Sequence, residues 1–168
     1  MRRIILLAGL VLAVGVLPSG SALAAAGGRD LPFKGSVSGT SVHNLTTGHV
    51  DAVSTGQLTH FGLTTVDQTA SVATTDLITF SWSGTVTLTA ANGDQMSGTT
   101  VGTCTRPTLT SISCVVEFTS TGGTGRFADA SAHLTITLLS NRVSLDPGPP
   151  PISYGEHQNA TLVGHLSW

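Results

Sequence analysis

Thr121-Gly-Gly-Thr-Gly-Arg-Phe-Ala-Asp-Ala-Ser-Ala132 is a glycine-dense turn followed by one aromatic residue and a run of small residues. Its glycines at positions 122, 123 and 125 predict backbone that takes positive φ or lies close against another segment. Phe127 is the one large apolar side chain of the stretch, so we interpret it as a plug and not as part of a helical stripe. A turn followed by a plug predicts the closed end of a β-barrel.

Strict alternation of apolar and polar residues is clearest upstream of this turn, at residues 79–91. A period of two sustained over a dozen residues predicts a strand with one buried and one wet face. The predicted buried face is made by alternate residues: Phe80, Trp82, Gly84, Val86, Leu88 and Ala90. Asn92-Gly93 follows and predicts a type I′ hairpin turn, so residues 94–104 should return antiparallel.

The same alternation recurs at residues 114–119, 131–138 and 160–168. It is weaker at residues 33–43 and 57–66, and short stretches at residues 49–53 and 70–73 are candidates for additional strands. Helix is expected only as a turn or so at residues 126–130. Seven to nine antiparallel strands usually close or fold into two sheets. We therefore predict an all-β fold, a single antiparallel closed barrel of about eight strands, with a β-sandwich as the alternative.

The predicted interior is filled or lined by large apolar side chains from several strands. Any cavity left among them should have apolar walls suited to a small hydrophobic ligand. The proline-rich segment at residues 146–151 cannot pair inside a sheet, because proline has no N–H, so it should form a stiff loop at one barrel end. The candidate lining residues are Phe80, Trp82, Val86, Leu88, Phe118 and Leu134.

The N-terminus has the three parts of a secretory signal peptide. Met1-Arg2-Arg3 is basic, residues 4–17 are apolar, and Ala22-Leu23-Ala24 offers a cleavage site. With the cut after Ala24, residues 1–24 are the signal peptide and residues 25–168 the barrel domain. An apolar segment of about fourteen residues is short for a membrane span, which needs about twenty, so an uncleaved anchor is the less favoured alternative. The predicted location is extracellular.

Charge and motifs exclude several classes of function. The mature chain would carry five basic and nine acidic side chains, and Lys34 is its one lysine. Without a basic cluster we expect no nucleic-acid partner, and without a phosphate loop or nucleotide fingerprint we expect no cofactor. The terminal Trp168 is typical of outer-membrane barrels, but eight aromatic residues in all are too few for two interfacial girdles. We therefore expect no membrane insertion of the mature chain.

Cys104 and Cys114 are the two cysteines, and both lie in the predicted mature chain. An even count in an exported chain favours a disulfide over a catalytic or metal-binding role. A pair of buried free thiols is the alternative.

Glu117 and His60 are the candidate catalytic residues. Glu117 alternates with Val116 and Phe118, so it is expected to face outward; if the lumen lay on its side, it would be a buried acid or base with a raised pKa. His60 is expected to be a hydrogen-bonded structural residue. The six histidines show no helical i, i+4 spacing and no His-x-His spacing, so we expect no metal site.

Three turns carry a resemblance to a known family. Thr59-His60-Phe61-Gly62, Ala90-Ala91-Asn92-Gly93-Asp94 and residues 121–128 resemble small exported bacterial proteins with an allene-oxide-cyclase-like barrel. The last element also resembles the dirigent proteins of plants. The resemblance implies an eight-stranded antiparallel calycin-type barrel with an apolar lumen. It carries over no catalytic residue, because the matching positions are structural.

Two classes of function remain open from the sequence. The first is a non-catalytic barrel that binds a small hydrophobic molecule in its lumen; the second is a cyclase or isomerase that folds a reactive substrate there, assisted by Glu117 or His60. An enzyme should show an open lumen that contains an ionisable side chain. If the lumen is filled, only the loops and the outer surface remain available for function. Surface adhesion through threonine-rich outer faces is a third, weaker hypothesis. The sequence sets no oligomeric state.

Overall fold

The computed structural model describes residues 29–76, 78–145 and 153–168. The predicted signal peptide, its cleavage site and the proline-rich segment at residues 146–151 lie outside the described residues. Eight long strands account for most of the described chain. In chain order they are β1 (Leu31–Asn44), β2 (His49–Leu58), β3 (Gly62–Thr74), β4 (Thr79–Ala90), β5 (Gln95–Thr105), β6 (Ser111–Gly123), β7 (Ser131–Leu145) and β8 (Ser153–Ser167).

Each strand pairs antiparallel with the next, and β8 pairs with β1, so the sheet closes into a barrel. The closing pair runs from Leu31 opposite Leu166 to Asn44 opposite Ser153. This confirms the predicted closed barrel. The β-sandwich alternative is wrong, because two packed sheets would leave edges that this ladder pairs.

The pleat sends alternate residues inward, and the predicted inward face of β4 is confirmed. All six predicted lining residues are buried, with Phe118 and Leu134 at 0% and 1% exposure. Threonine and serine occupy much of the outer face, where their hydroxyl groups meet water.

One end of the barrel is closed by the predicted plug. The chain turns through a short 3₁₀ helix, Gly125–Phe127, in which Gly125 has φ of 56°. Phe127 is fully buried, and its ring lies between those of Phe61 and Trp168, with centroids 4.0 and 5.7 Å away. A Cβ on Gly123 would collide with the carbonyl oxygen of Phe127. Both expectations for these glycines, positive φ and close approach, are thus confirmed.

The β4–β5 hairpin is present, but the predicted type I′ turn is wrong. Among the described residues, Gly93 has positive φ, at 88°, and Asn92 does not. The loop has three residues, closed by the Ala90 N–H donating to Asp94 O and the Gly93 N–H donating to Ala90 O, each at 2.9 Å. A three-residue loop needs positive φ only at its last position, and glycine supplies it.

Residues 57–66 do not form one strand. They contain the end of β2, the turn at residues 59–61 and the start of β3. His60, at the centre of this turn, has φ of 67°. The short stretches at residues 49–53 and 70–73 are parts of the long strands β2 and β3. Gly62, which follows the turn, also has positive φ, at 73°.

Candidate functional site

The middle of the barrel is nearly filled. Phe118 and Leu134 line a central cavity of about 20 Å³, which is room for about one water molecule. Ser54, Gln68 and Gln158 join the predicted apolar wall, and the Gln158 amide Nε2 donates to Ser54 Oγ at 2.8 Å. The cavity therefore offers no space for an organic ligand.

The end opposite Phe127, which we call the mouth, collects polar side chains. These residues continue the inward-facing rows of β1, β5, β7 and β8 beyond the apolar middle. Their side chains are buried or half-buried. We define them as the mouth cluster: Ser41, His43, Arg106, Ser140, Arg142, Tyr154 and Glu156.

Glu156 is the buried carboxylate of the mouth cluster, at 2% exposure. Ser140 Oγ donates to its Oε2 at 2.5 Å, and His43 Nε2 lies 3.2 Å from the same oxygen. Burial by itself raises the pKa of Glu156, but the hydrogen bonds from His43 and Ser140, with the charges of His43 and Arg142, outweigh burial and lower it. Glu156 is therefore ionised at neutral pH.

His43 connects Glu156 to the aromatic wall. Its ring stacks on that of Tyr154, with centroids 4.7 Å apart, and its Nε2 is also 3.2 Å from Ser41 Oγ. An ionised carboxylate accepts hydrogen bonds only, so the contact with Glu156 assigns the proton to Nε2. Burial and the nearby Glu156 charge raise the pKa of Tyr154, which stays a neutral phenol.

Two arginines complete the mouth cluster. The guanidinium carbon of Arg106 lies 4.8 Å from the ring centroid of Phe80, and that of Arg142 lies 4.2 Å from the ring centroid of Tyr154. Both Nε atoms are buried and have no hydrogen-bond partner among the described residues. The backbone at each arginine is fixed, since its N–H donates to Ile78 O and Thr110 O respectively.

An open depression of about 510 Å³ lies at the mouth. A small inner cavity of about 30 Å³ shares part of its wall and reaches Trp82 and the disulfide. Residues common to both are His43, Val72, Phe80, Arg106 and Tyr154. A concave apolar wall with a few convergent polar groups is typical of small-ligand sites.

Of the sequence-predicted lining residues, the structure brings Phe80 and Trp82 to the mouth. Trp82 Nε1 donates to Thr100 Oγ1 at 3.3 Å, so the indole is held in place. Phe118 and Leu134 lie deeper, at the filled centre.

Glu117 faces outward, as the alternation indicated. Its side chain is 42% exposed and lies 3.7 Å from His133 Nε2, and Thr135 Oγ1 donates to its carboxylate at 3.0 Å. Glu117 therefore does not lie in the lumen, where it would have to be to act as a buried acid or base.

His60 lies at the closed end, remote from the mouth. Its Nε2 donates to Pro32 O at 3.2 Å, and its ring meets the Trp168 ring edge-on. These contacts support the β2–β3 turn.

The predicted disulfide is present between Cys104 and Cys114. The two residues are directly opposite each other on β5 and β6, and both face the interior near the mouth. The bond thus joins adjacent strands beside the inner cavity.

Sequence reasoning missed the mouth cluster, although the signal is present. The alternation recognised from Ala160 onward extends backward through Gln158 to Glu156, which places that carboxylate inward. The same extension from Leu138 reaches Ser140 and Arg142. Polar residues at inward positions were not recognised as strand because they interrupt the apolar pattern.

In residues 29–76, 78–145 and 153–168, no group of three or more His, Cys, Asp or Glu side chains converges as a metal site. No helix in these same ranges is long and apolar enough to cross a membrane. Comparison of the chain with protein-family models, curated proteins and solved structures finds no match.

Proposed function

We propose that the chain is an exported, non-catalytic barrel that binds a small, partly apolar molecule at its mouth. The proposal rests on the difference in cavity volume between the centre of the barrel and its mouth. The centre has about 20 Å³, whereas the mouth depression has about 510 Å³, within the usual range for ligand pockets.

Export is part of the proposal, and two features support it. Residues 1–24 carry the sequence pattern of a signal peptide, and a disulfide is typical of exported chains. The chain's place among allene-oxide-cyclase-like or dirigent-like barrels is likewise proposed. Its support is the three turn motifs together with the eight-stranded closed barrel.

The hydrogen bonds of the mouth favour binding over catalysis. Oε2 of Glu156 is engaged by both Ser140 and His43, and the lowered pKa of Glu156 makes it a weak base at neutral pH. Its contacts orient His43 and hold β1, β7 and β8 together at this end. A pre-formed wall reduces the ordering cost of binding.

A cyclase or isomerase is the second candidate, and the His43–Glu156 contact favours it. With the proton on Nε2, the other ring nitrogen of His43 is an acceptor, and His43 lines the depression. In this alternative His43 would act as the base on a bound substrate, and H43Q would abolish turnover while leaving binding intact.

Native mass spectrometry of the exported protein tests the proposal. We expect a retained small molecule that is released on unfolding. V72W should displace it by filling the depression, whereas V101W, on the exposed outer face, should not. Equal retention in both variants, or an unliganded wild type that binds nothing from a culture extract, would contradict the proposal.

A further inference from the structure

We infer that the mouth selects a monocarboxylate with an apolar tail, whose carboxylate is held by Arg106 and Arg142. This inference rests on the proposed function, because it names the ligand class of the same depression. It rests on a difference between three arginines whose guanidinium groups stack on aromatic rings.

Arg106, Arg126 and Arg142 each place the guanidinium carbon 4.2 to 4.8 Å from an aromatic ring centroid. Arg126, at the closed end, also has a carboxylate partner, since its Nε lies 3.6 Å from Asp94 Oδ2. Neither mouth arginine has a carboxylate within 4.0 Å among the described residues. The mouth arginines are therefore stacked in the same way but have no carboxylate partner in the part of the chain that the structure describes.

The carboxylate of the mouth cluster does not serve these two arginines. Glu156 accepts from Ser140 and contacts His43, and neither guanidinium reaches it within ion-pair distance. Arg106 and Arg142 carry two positive charges against the one negative charge of Glu156, so the mouth cluster has an excess of positive charge. An added negative charge offsets that excess.

Arg106 and Tyr154 both line the depression, and the Arg142 guanidinium stacks on the Tyr154 ring, so both arginines can act on one ligand at this ring. Burial and the Glu156 charge raise the pKa of Tyr154, while the charges of Arg106 and Arg142 oppose that rise. A ring against one face of a guanidinium fixes its plane and leaves its N–H donors pointing outward around the edge. A planar carboxylate fits donors arranged in this way.

The rest of the depression indicates what is attached to the carboxylate. Val72, Phe80 and Tyr154 line the depression together with the largely polar β1–β2 turn, residues 44–49, and Trp82 and Ile112 line the inner cavity beyond. The apolar side chains that lead from the depression to the inner cavity favour an alkyl or aryl tail over a second charge.

Isothermal titration calorimetry of the disulfide-intact mature protein tests the inference. The probes are straight-chain monocarboxylates of four to twelve carbons and 3-phenylpropionate, each paired with its uncharged amide. We expect at least one carboxylate to bind about tenfold or more tightly than its amide, the difference expected for a charge-assisted hydrogen bond.

R106Q and R142Q should each weaken carboxylate binding by about tenfold and leave amide binding unchanged. R126Q is the matched control, because Arg126 is stacked on Phe127 at the opposite end; its carboxylate affinity should equal that of the wild type. Circular dichroism melting of each variant verifies that it is folded, and the wild-type carboxylate–amide comparison holds even where a variant does not fold.

The outcomes separate this inference from the proposed function. If the amides bind as tightly as the carboxylates and V72W blocks both, the mouth is a ligand site but the inference is overturned. The inference is also overturned if R126Q weakens binding as much as R106Q. If no probe of either kind binds, both proposals fail.

Discussion

The rings of Phe61 and Phe127 stack face to face, with centroids 4.0 Å apart and planes 10° from parallel. Phe61 ends the β2–β3 turn, and Phe127 ends the glycine-dense turn after β6, so the stack joins loops from distant parts of the chain. Phe33 meets Phe61 edge-on at 5.8 Å and extends the contact to β1. This aromatic group closes one end of the barrel, and the proposed ligand site lies at the other end.

Removing the plug should therefore destabilise the whole barrel. We expect F127A to lower the free energy of unfolding by about 3 to 5 kcal/mol, the range for a buried phenylalanine truncated to alanine. Urea denaturation followed by fluorescence measures the loss. The neighbouring R126A should cost about 1 kcal/mol or less, because its ion pair with Asp94 is partly exposed. Equal losses in the two variants would show that Phe127 does not act as a plug.

The Cys104–Cys114 bond should stabilise the barrel by restricting the unfolded chain. It closes a short loop, since the cysteines are 10 residues apart, and we expect about 2 to 3 kcal/mol in the chain-entropy model. Urea denaturation of wild type and a C104A/C114A double variant measures the difference. Intact mass with and without reduction before alkylation reports the bond itself. A wild type that alkylates fully without reduction would disprove the disulfide.

Acid should weaken the mouth through Glu156. Its pKa is lower in the folded chain than the ordinary value of 4.5, so the stabilisation is present above that pH and is lost as the pH falls through the folded value. The difference in unfolding free energy between wild type and E156Q should therefore shrink below about pH 4.5. S140A, which removes one donor to the carboxylate, should shift that loss to higher pH. A difference that stays constant from neutral to acid pH would contradict the account of Glu156.

Export should produce a mature chain that begins at Ala25. The signal peptide is predicted to end at Ala24, so the intact mass of the exported protein should equal that of residues 25–168 less two hydrogens for the disulfide. Cleavage requires small residues at the site, so an A24R substitution should block it. Recovery of the uncleaved chain in the wild type would contradict the predicted processing.

The barrel itself follows from local sequence, because alternation over a dozen residues assigns the face of every residue in β4. The inward orientation of the mouth cluster, by contrast, depends on how far the strands extend. His43, Arg142 and Glu156 face inward only because β1, β7 and β8 extend past their apolar residues, and pairing between distant strands determines that extent. Glu117 and Glu156 show the consequence: both are glutamates in strands, and one residue of register decides which is buried.

The turns show a second limit of local reasoning. Asn92-Gly93 correctly predicts a hairpin, but the same dipeptide fits both a two-residue and a three-residue loop. The choice depends on Asp94, whose carbonyl pairs with Ala90. At His60 a non-glycine residue takes positive φ where contacts with Pro32 and Trp168 support it. Such supporting contacts come from remote segments and have no local signal.

The most direct test of the central claim is to map ligand binding along the barrel axis by NMR. A library of small organic molecules, carboxylates included, would be titrated into ¹⁵N-labelled mature protein. We predict that binding shifts the amide signals of Val72, Arg106 and Tyr154 at the mouth and leaves those of Phe61 and Phe127 unchanged. Shifts centred on Val86 and Leu134 in the filled middle, or at the Phe127 end, would contradict the claim that this barrel acts through its mouth.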